Sequence, residues 1–375
     1  MDFALSAEQQ ALQQSVREFL AREAGIDRVR AVMETNGNGD AATWTKITDL
    51  GWHTMLAPLA HGGLGLCAID MVAVAEELGR ALYGGPLLPS SILATFAATE
   101  LGCELLLSEL TSGTRTATIA VEEGGHGDLV ENIRTAATLD NGAHYVLNGT
   151  KIMVIDGHLA DTVIVAARVS EGLASFLVDR VITSEETFVA TPSLDLTRTF
   201  ATAQFNDTPA VRIDVGSSDD DSEIWRSVMD FGALALSAEL VGASEAAAAL
   251  AIDYAQTREV FGKPLTKFQV TRHKAVDLLR ETELARVGVY NAAWAWASNA
   301  PDRAAAVSMA KSFAAEAANH AGAECIQIHG AMGYTWDCDA HLYLRRAKVN
   351  DLLFGSQQWH RTRVADSYFN SDGSR

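Results

Sequence analysis

The chain has 375 residues, of which 48% are hydrophobic, so it is long enough for two or three globular domains with a large core. Its formal net charge of −19 disfavours nucleic acid and anionic membrane surfaces as partners, although local basic patches can still bind small anions. The four cysteines are widely spaced, which argues against a metal site and is typical of reduced thiols. No basic segment followed by an apolar one indicates a signal peptide. We therefore expect a cytoplasmic protein with no metal centre and no membrane insertion.

Residues 1–112 are predicted to be helical. Ser6 can cap a first helix, in which apolar residues recur on one face. Residues 50–58 suggest a turn and a short extended piece, and residues 70–83 an amphipathic helix. The glycine- and proline-rich residues 84–89 end that helix. This part of the chain is expected to form an all-α domain.

Residues 113–215 change to short segments rich in β-branched residues, separated by Gly, Asn and Asp. The pairs Asn141–Gly142 and Asn148–Gly149 are turn signals. The pattern predicts an antiparallel β-domain of about seven strands. The segments that carry it are residues 116–121, 135–139, 143–147, 162–167, 174–178 and 200–205.

Residues 216–375 return to a helical pattern with long alanine-rich stretches. Four long helices joined by short loops indicate an antiparallel bundle. They are predicted at residues 224–257, 269–298 and 302–328, with the last in two parts, 337–353 and 357–369. The fold class is therefore α+β, with an all-α domain (1–112), a β-domain (113–215) and a four-helix bundle (216–375).

Two stretches in the bundle carry polar groups suited to an anion. Residues 325–336 read Cys-Ile-Gln-Ile-His-Gly-Ala-Met-Gly-Tyr-Thr-Trp, where Gly330 allows a bend whose free N–H groups can hold an anion and Gln327 adds a donor. Residues 258–269 begin with Arg258, whose planar guanidinium suits a phosphate or carboxylate. Taken alone, each stretch is most often only a turn.

Together, the two stretches resemble the carboxy-terminal domain of the acyl-CoA dehydrogenase family. The family pattern is Arg-x-x-Phe-Gly, a following Gln, and then Gln-x-His-Gly-Gly-x-Gly-Tyr, which this sequence matches except at Ala331. The resemblance covers nearly the whole chain and implies an FAD shared across a subunit interface. One subunit holds the isoalloxazine ring between its β-domain and bundle, and its neighbour grips the adenosine and pyrophosphate end. The residues that match this second role are Arg258, Phe261, Gln269, Gln327, Gly330 and Ala331.

The resemblance implies two further binding residues. Ser356 stands at the family's Thr in the stretch Tyr-Glu-Gly-Thr and is a candidate cofactor-binding residue. Tyr334 is placed near the thioester pocket and is a candidate substrate-binding residue, although a tyrosine in the core explains it nearly as well.

The part of the sequence that would face the flavin ring departs from the family pattern. The family's Lys-x-Trp-Ile-Thr-Asn-Gly reads Lys-Ile-Met-Val-Ile-Asp-Gly over residues 151–157. Met153 thus replaces the Trp, and Ile155 replaces a Thr whose hydroxyl can donate to a flavin nitrogen. The family's Thr-Glu-Pro-x-x-Gly-Ser-Asp corresponds to residues 121–128, which lack the Pro and the Ser.

The catalytic residue is left unassigned. The resembled reaction removes a proton and a hydride from the α and β carbons of an acyl thioester, and it needs a carboxylate base. The usual Glu is replaced by Phe354. In some members the Glu lies in the first bundle helix, at a place that falls near Gly232. Asp230 is the remaining candidate, but it lies about 200° around the helix from that place.

Some actinobacterial members of the family are α2β2 heterotetramers, in which one subunit has lost the base and completes its partner's flavin site. Several of them act on CoA thioesters of steroid side chains. This sequence resembles the base-less subunit. Its implied partners are a homologous subunit bearing the Glu, an acyl-CoA substrate and an electron acceptor such as electron-transfer flavoprotein. The alternatives are a self-sufficient homotetramer with an atypical base, a flavin-free acyl-CoA-binding protein, and a flavin oxidase or monooxygenase that needs no such base.

Overall fold

The computed structural model describes residues 5–35, 41–125, 128–140, 144–215 and 220–370. The amino-terminal part is helical, as predicted. Ser6 caps the first helix, because its Oγ accepts from the Gln9 N–H at 3.2 Å while the Gln9 side chain accepts from the Ser6 N–H at 3.0 Å. The helices in this part are α1 (Ala7–Glu23), α2 (Ile26–Glu34), α3 (Ala41–Asp49), α4 (Ala68–Arg80), α5 (Thr95–Glu100) and α6 (Glu104–Thr111).

Two local expectations for this part are wrong. Residues 50–58 contain a 3₁₀ turn, Trp52–Thr54, instead of an extended piece, because Gly51 adopts a φ of 74° and its carbonyl accepts from the Thr54 N–H. The Gly- and Pro-rich stretch leads into a buried π-helical segment, Leu87–Ala94, that periodicity did not indicate. A run of apolar residues is buried equally well in several backbone conformations, so its pattern does not choose among them.

The middle of the chain forms a seven-stranded sheet, as predicted in number. The pairing of β4 with both β2 and β5 closes five strands of this sheet into a barrel, with β1 added to β4 and β6 to β7. The strands are β1 (Ala117–Ala120), β2 (Ala136–Asp140), β3 (His144–Ile155), β4 (Thr162–Arg168), β5 (Leu173–Asp179), β6 (Phe188–Thr191) and β7 (Phe200–Arg212).

The sheet is mixed, whereas the sequence pattern suggested an antiparallel one. Strand β1 pairs in parallel with β4, and β2 touches β4 in parallel at one position. Side-chain alternation does not encode strand direction, and the long connection from β1 to β4 allows a parallel crossover. The predicted turn at Asn148–Gly149 is also wrong, because both residues lie inside β3 at a bulge. Asn141–Gly142 lies outside the described residues.

The carboxy-terminal part is the predicted helical bundle. A short hairpin of β8 (Glu259–Val260) and β9 (Lys263–Pro264) joins the first two helices. The longest helix is apolar enough to span a membrane, but 72% of its most apolar window is buried inside the protein, as in a core helix. The helices are α7 (Ser222–Thr257), α8 (Gln269–Ala297), α9 (Arg303–His329), α10 (Ala340–Leu352) and α11 (Gln357–Asn370). The exact domain boundaries stay a prediction.

A buried polar network joins the three parts of the chain. Arg346 on α10 donates to Asp195 at 2.6 Å and to the carbonyls of Leu82 and Tyr83. Arg198 in the β-domain donates to Glu239 on α7 at 2.6 Å. The Arg346, Asp195, Arg198 and Glu239 side chains are almost fully buried, and each charge has an opposite partner.

Candidate functional site

The two anion-binding stretches meet at one end of the bundle. Tyr254, one turn before the end of α7, stacks on His329 at the end of α9, with ring centroids 4.3 Å apart. The N–H of Arg258 donates to the Tyr254 carbonyl, and Gly330 directly follows His329. Stacking therefore holds the start of the Arg258 stretch beside the glycine bend.

Glycine is required at two places in this bend. Gly330 ends α9 with a φ of 63°, and its N–H donates to the Gln327 carbonyl. Gly333 is buried, and a Cβ there would lie 2.8 Å from the Ile326 carbonyl oxygen. The bend continues as a 3₁₀ turn, Gly330–Tyr334.

The residues predicted to grip the cofactor form an exposed surface with unused donors. Phe261 stands at the tip of the β8–β9 hairpin with a φ of 54° and is 92% exposed. Within the described part of the chain, no hydrogen bond or ion pair engages the side chains of Arg258, Gln269 and Gln327. We call this set the gripping surface: Arg258, Phe261, Gln269, Gln327, Gly330 and Ala331.

Ser356 and Tyr334 are not part of one common pocket. The Ser356 Oγ accepts from the Trp359 N–H at 3.3 Å and so caps α11. The Tyr334 side chain is 77% exposed on the turn after Gly330. Their proposed binding roles stay predictions.

The cleft that would take the flavin ring of this chain is filled. It lies between β1, β3, the Leu87–Ala94 segment, α7 and the turn after α10, and its remaining cavity is about 20 Å³. That volume holds about one water molecule, and a three-ring isoalloxazine does not fit. We call this place the ring cleft, and the side chains that fill it include Leu93, Ile152, Met153, Ile155, Met229 and Phe354.

The two positions where family members carry the base lie against each other. A Cβ on Gly232 would come within 3.0 Å of the Phe354 ring. The absence of a side chain at residue 232 thus makes room for the aromatic ring at residue 354. Neither position offers a carboxylate.

The turn that carries Phe354 is held by buried basic groups. Phe354 and Gly355 have φ values of 56° and 99°. The Lys311 Nζ donates to the carbonyls of Leu353 and Gly355 at 2.9 and 3.0 Å, and burial lowers the pKa of Lys311 to about 7. His360 Nε2 lies 3.0 Å from the Phe354 carbonyl, and burial lowers the pKa of His360 to about 2. The imidazole is therefore neutral and donates through Nε2.

Two adjacent carboxylates, of which Glu122 lines the ring cleft, were not singled out by sequence reasoning. Glu123 binds Lys151 Nζ at 2.6 Å and accepts from the Thr135 N–H at 2.9 Å. Burial favours a raised pKa for Glu123, but Lys151 outweighs it and lowers the pKa. Glu122 lines the cleft, where burial raises its pKa to about 7 against the attraction of Lys311. The signal in the sequence was Glu123 itself, which stands where the family has Pro.

Asp230, the remaining candidate base, is held in an ion pair. It lines a cavity of about 120 Å³ next to Phe354, so it faces the same region despite its angle on the helix. Arg363 binds both carboxylate oxygens, one of them at 2.7 Å. Burial raises the pKa of Asp230, and Arg363 opposes that shift. A carboxylate with both oxygens bound to Arg363 is poorly placed to take a proton.

Comparisons with known proteins decide the family. The model of the acyl-CoA dehydrogenase N-terminal domain matches residues 6–114, and that of the acyl-CoA dehydrogenase C-terminal domain matches residues 223–369. The chain belongs to the acyl-CoA dehydrogenase family. This confirms the resemblance, the fold and the type of enzyme, an FAD-dependent oxidoreductase.

Individual relatives of this acyl-CoA dehydrogenase span the chain almost completely. The acyl-CoA dehydrogenase IpdE2 of Mycobacterium tuberculosis is 30% identical, with 93% of each protein covered. The ChsE4-ChsE5 complex from Mycobacterium tuberculosis contains a chain 25% identical, with a TM-score of 0.86 over 98% of this chain and 99% of that one. The Tcur3481-Tcur3483 steroid ACAD is 26% identical, with a TM-score of 0.86 and the same coverage.

The family's cofactor fits one half of this acyl-CoA dehydrogenase and not the other. The gripping surface has a free guanidinium, free amides and a glycine bend, which suit a pyrophosphate. The ring cleft, with about 20 Å³ of space, has no room for an isoalloxazine. The free donors of the gripping surface thus fit a pyrophosphate, and the ring cleft does not fit the flavin ring.

Proposed function

We propose that this chain serves the FAD-dependent dehydrogenation of an acyl-CoA thioester as the partner subunit of an α2β2 heterotetramer. Its gripping surface completes a flavin site whose ring lies in a homologous subunit, and that subunit bears the catalytic Glu. The observation that carries the proposal is the contrast between the two halves. Exposed, unpaired donors lie at one end of the bundle, while side chains fill the ring cleft.

Four residues of the gripping surface have distinct roles in this proposal. Arg258 and Gln327 donate to the pyrophosphate, because charge-assisted and amide N–H groups satisfy its oxygens. Gly330 brings the backbone close to the ligand, and the exposed Phe261 ring packs on the partner, where it is removed from water. When bound, the flavin supplies the hydride acceptor.

The relatives support the quaternary structure and the substrate class that we propose. One structural relative is a complex of two chains, ChsE4 and ChsE5, and another is described as a steroid ACAD. We propose a steroid side-chain CoA thioester as a candidate substrate, an electron-transfer flavoprotein as acceptor, and a cytoplasmic location.

A self-sufficient homotetramer is the second candidate. Asp230 favours it, because this buried carboxylate lines a cavity beside Phe354 and has a raised pKa. The ion pair with Arg363 and the filled ring cleft count against it. If the chain were a flavin-free acyl-CoA-binding protein, the free donors of the gripping surface would have no cofactor to bind.

The test is to purify the chain alone and together with a base-bearing homologue. We expect the chain alone to lack flavin absorbance, and the pair to give a yellow tetramer with one flavin for each two chains. Absorbance and native mass measure both quantities. A yellow tetramer of this chain alone, with one flavin per chain, would overturn the proposal and direct attention to Asp230.

Arg258→Ala tests the gripping surface directly. A charged hydrogen bond is worth about 1.5–3 kcal/mol, so we expect flavin affinity of the complex to fall by roughly tenfold to a hundredfold. Arg280→Ala is the matched control, because Arg280 is an exposed arginine on α8 outside the gripping surface. If both variants retain the same flavin affinity, Arg258 does not bind the cofactor.

A further inference from the structure

Another cavity lies between helices α2 and α3 and the barrel. Its volume is about 170 Å³, and it is bounded by the helices, by the segment between residues 84 and 90 and by the ends of β1 and β3. Its apolar walls include Val32, Trp44, Pro86, Pro89, Leu159 and Ala160. It has no part in the gripping surface.

This cavity and the ring cleft lie along the same strands but are lined by different residues. Thr116, just before β1, and Ala117, its first residue, line the cavity, and Thr118, Ile119 and Val121 line the ring cleft. At the end of β3, Ile155 lines the cleft, and Asp156, with a φ of 52°, lines the cavity. The side chains that fill the ring cleft therefore leave this space open.

The hydroxyl and carboxylate side chains of the cavity already have partners. The Ser90 Oγ accepts from the Ala117 N–H at 3.1 Å, and Thr199 donates to Asp156 at 2.5 Å. Thr116 Oγ1 donates to Asp161 at 2.9 Å. An occupant therefore gains from contact with the apolar walls and needs no polar group of its own. The Asp156 carboxylate disfavours an anion.

We propose that this cavity binds a neutral apolar group of the size of a single six-membered ring. A dry engineered cavity of about 150 Å³ in another protein binds benzene, so the space here is sufficient. Burial of the ring against Trp44, Leu159 and the two prolines removes apolar surface from water, which is the driving force. The proposal is independent of the flavin and of the partner subunit.

Benzene is the probe, and the full-length chain is the protein to use. We expect benzene to raise the thermal unfolding midpoint in a saturable manner with a millimolar midpoint, because a ligand that binds only the folded state stabilises it. It should also change tryptophan emission, and Trp44→Phe should remove that change. Hexanoate, which is anionic, should do neither.

Ala160→Leu fills the cavity, because Ala160 is 4% exposed and lines it. Benzene binding should weaken by at least about tenfold, or 1.4 kcal/mol. Val32→Phe, at a half-buried position on α2, narrows the same space and serves if the first variant does not fold. Ala190→Leu, at an exposed position outside this cavity, should leave binding unchanged.

Three results would overturn the proposal. They are no saturable effect of benzene on the wild-type chain, equal benzene affinity in the wild-type and filled variants, or hexanoate binding as tight as that of benzene. The last result would mean that the space selects a carboxylate, which contradicts the role given to Asp156.

Discussion

Two neighbouring glutamates show how strongly local environment decides the behaviour of a side chain. Glu123 is paired with the buried Lys151 and has a lowered pKa, whereas Glu122 lines the filled cleft and has a pKa of about 7. The ordinary pKa of a glutamate carboxyl is 4.5. The sequence shows two adjacent acids, and only the fold separates their roles.

Glu122→Gln should stabilise the chain at pH 8 and not at pH 4. The folded pKa of Glu122, about 7, exceeds its ordinary value of 4.5, so the folded state binds the extra proton between these values. Stability therefore falls as pH rises from about 4.5 to about 7. Removing the charge should restore roughly 2–3 kcal/mol at pH 8, measured by denaturant unfolding at both pH values.

Glu123→Gln is the matched control and should have the opposite effect. It removes the counter-charge of the buried Lys151 and weakens the acceptor of the Thr135 N–H, so it should destabilise the folded chain. If the two variants shift stability in the same direction at pH 8, the environments assigned to these carboxylates are wrong.

At the scale of elements, hydrogen bonds to the backbone hold the turn between α10 and α11 in one conformation, although the residue at its tip, Phe354, is apolar. Lys311 and His360 bind three successive carbonyls, those of residues 353–355, and hold Phe354 in the left-handed region. The ring then packs on Gly232 of α7. The helix and the turn thus fit together because residue 232 has no side chain and residue 354 has a large one.

A double-mutant cycle tests this adaptation. Gly232→Ala adds a methyl group within 3.0 Å of the Phe354 ring and should cost about 1–3 kcal/mol. Phe354→Ala should cost about 3–5 kcal/mol through the cavity that it leaves. Together they should cost less than the sum, because the added methyl enters the vacated space. Additive costs in urea unfolding would show that the two residues do not interact.

The long helices were predictable because an apolar stripe of helical period persists over many residues. The expected start of α8, Gln269, is the observed one, and the expected end of α9 differs by one residue. Strand β6 was missed because no Gly or Asn flanks it, whereas Gly113 and Gly124 bracket the equally short β1. The parallel pairing of β1 was missed because strand direction depends on contacts between distant segments.

The sequence could place the residues of the gripping surface because they lie in two short motifs with fixed spacing, and their binding role stays a prediction. Phe354 at the family's usual Glu position was visible for the same reason, and the identity of the base stays open. The small volume of the ring cleft was predicted only in part. Met153 and Ile155 depart from the family pattern there, but the two substitutions alone do not show how little space remains. Two ion pairs could not be predicted from spacing, because their members are far apart in the chain. Glu123 and Lys151 are 28 positions apart, and Asp230 and Arg363 are 133 positions apart.

At the scale of the whole molecule, the network around Arg346 makes the three parts of the chain interdependent. Arg346 binds Asp195 of the β-domain and backbone carbonyls of the amino-terminal part. Its removal leaves the buried Asp195 carboxylate without its counter-charge, with hydrogen bonds from Thr197 alone among the described residues, and takes the donor from the two carbonyls.

Arg346→Met should therefore lower the free energy of unfolding by about 3–5 kcal/mol. The neighbouring Arg345 is only half-buried and lies over the Trp336 ring, so Arg345→Met should cost about 1 kcal/mol or less. Denaturant unfolding of both variants measures the difference. Equal, small losses would mean that the buried network does not couple the parts.

The filled ring cleft has a consequence for the order in which the protein folds and meets its flavin. A protein that wraps around a cofactor gains stability from it, so its folded population rises and falls with the cofactor's concentration. Here Phe354 and its neighbours leave only about 20 Å³ of that space, so under the proposed function the single chain folds without a flavin ring. Added FAD should leave its unfolding midpoint unchanged over a range that stabilises the complex. Under the proposed function, such a chain can fold during flavin starvation and assemble with its partner when the vitamin returns.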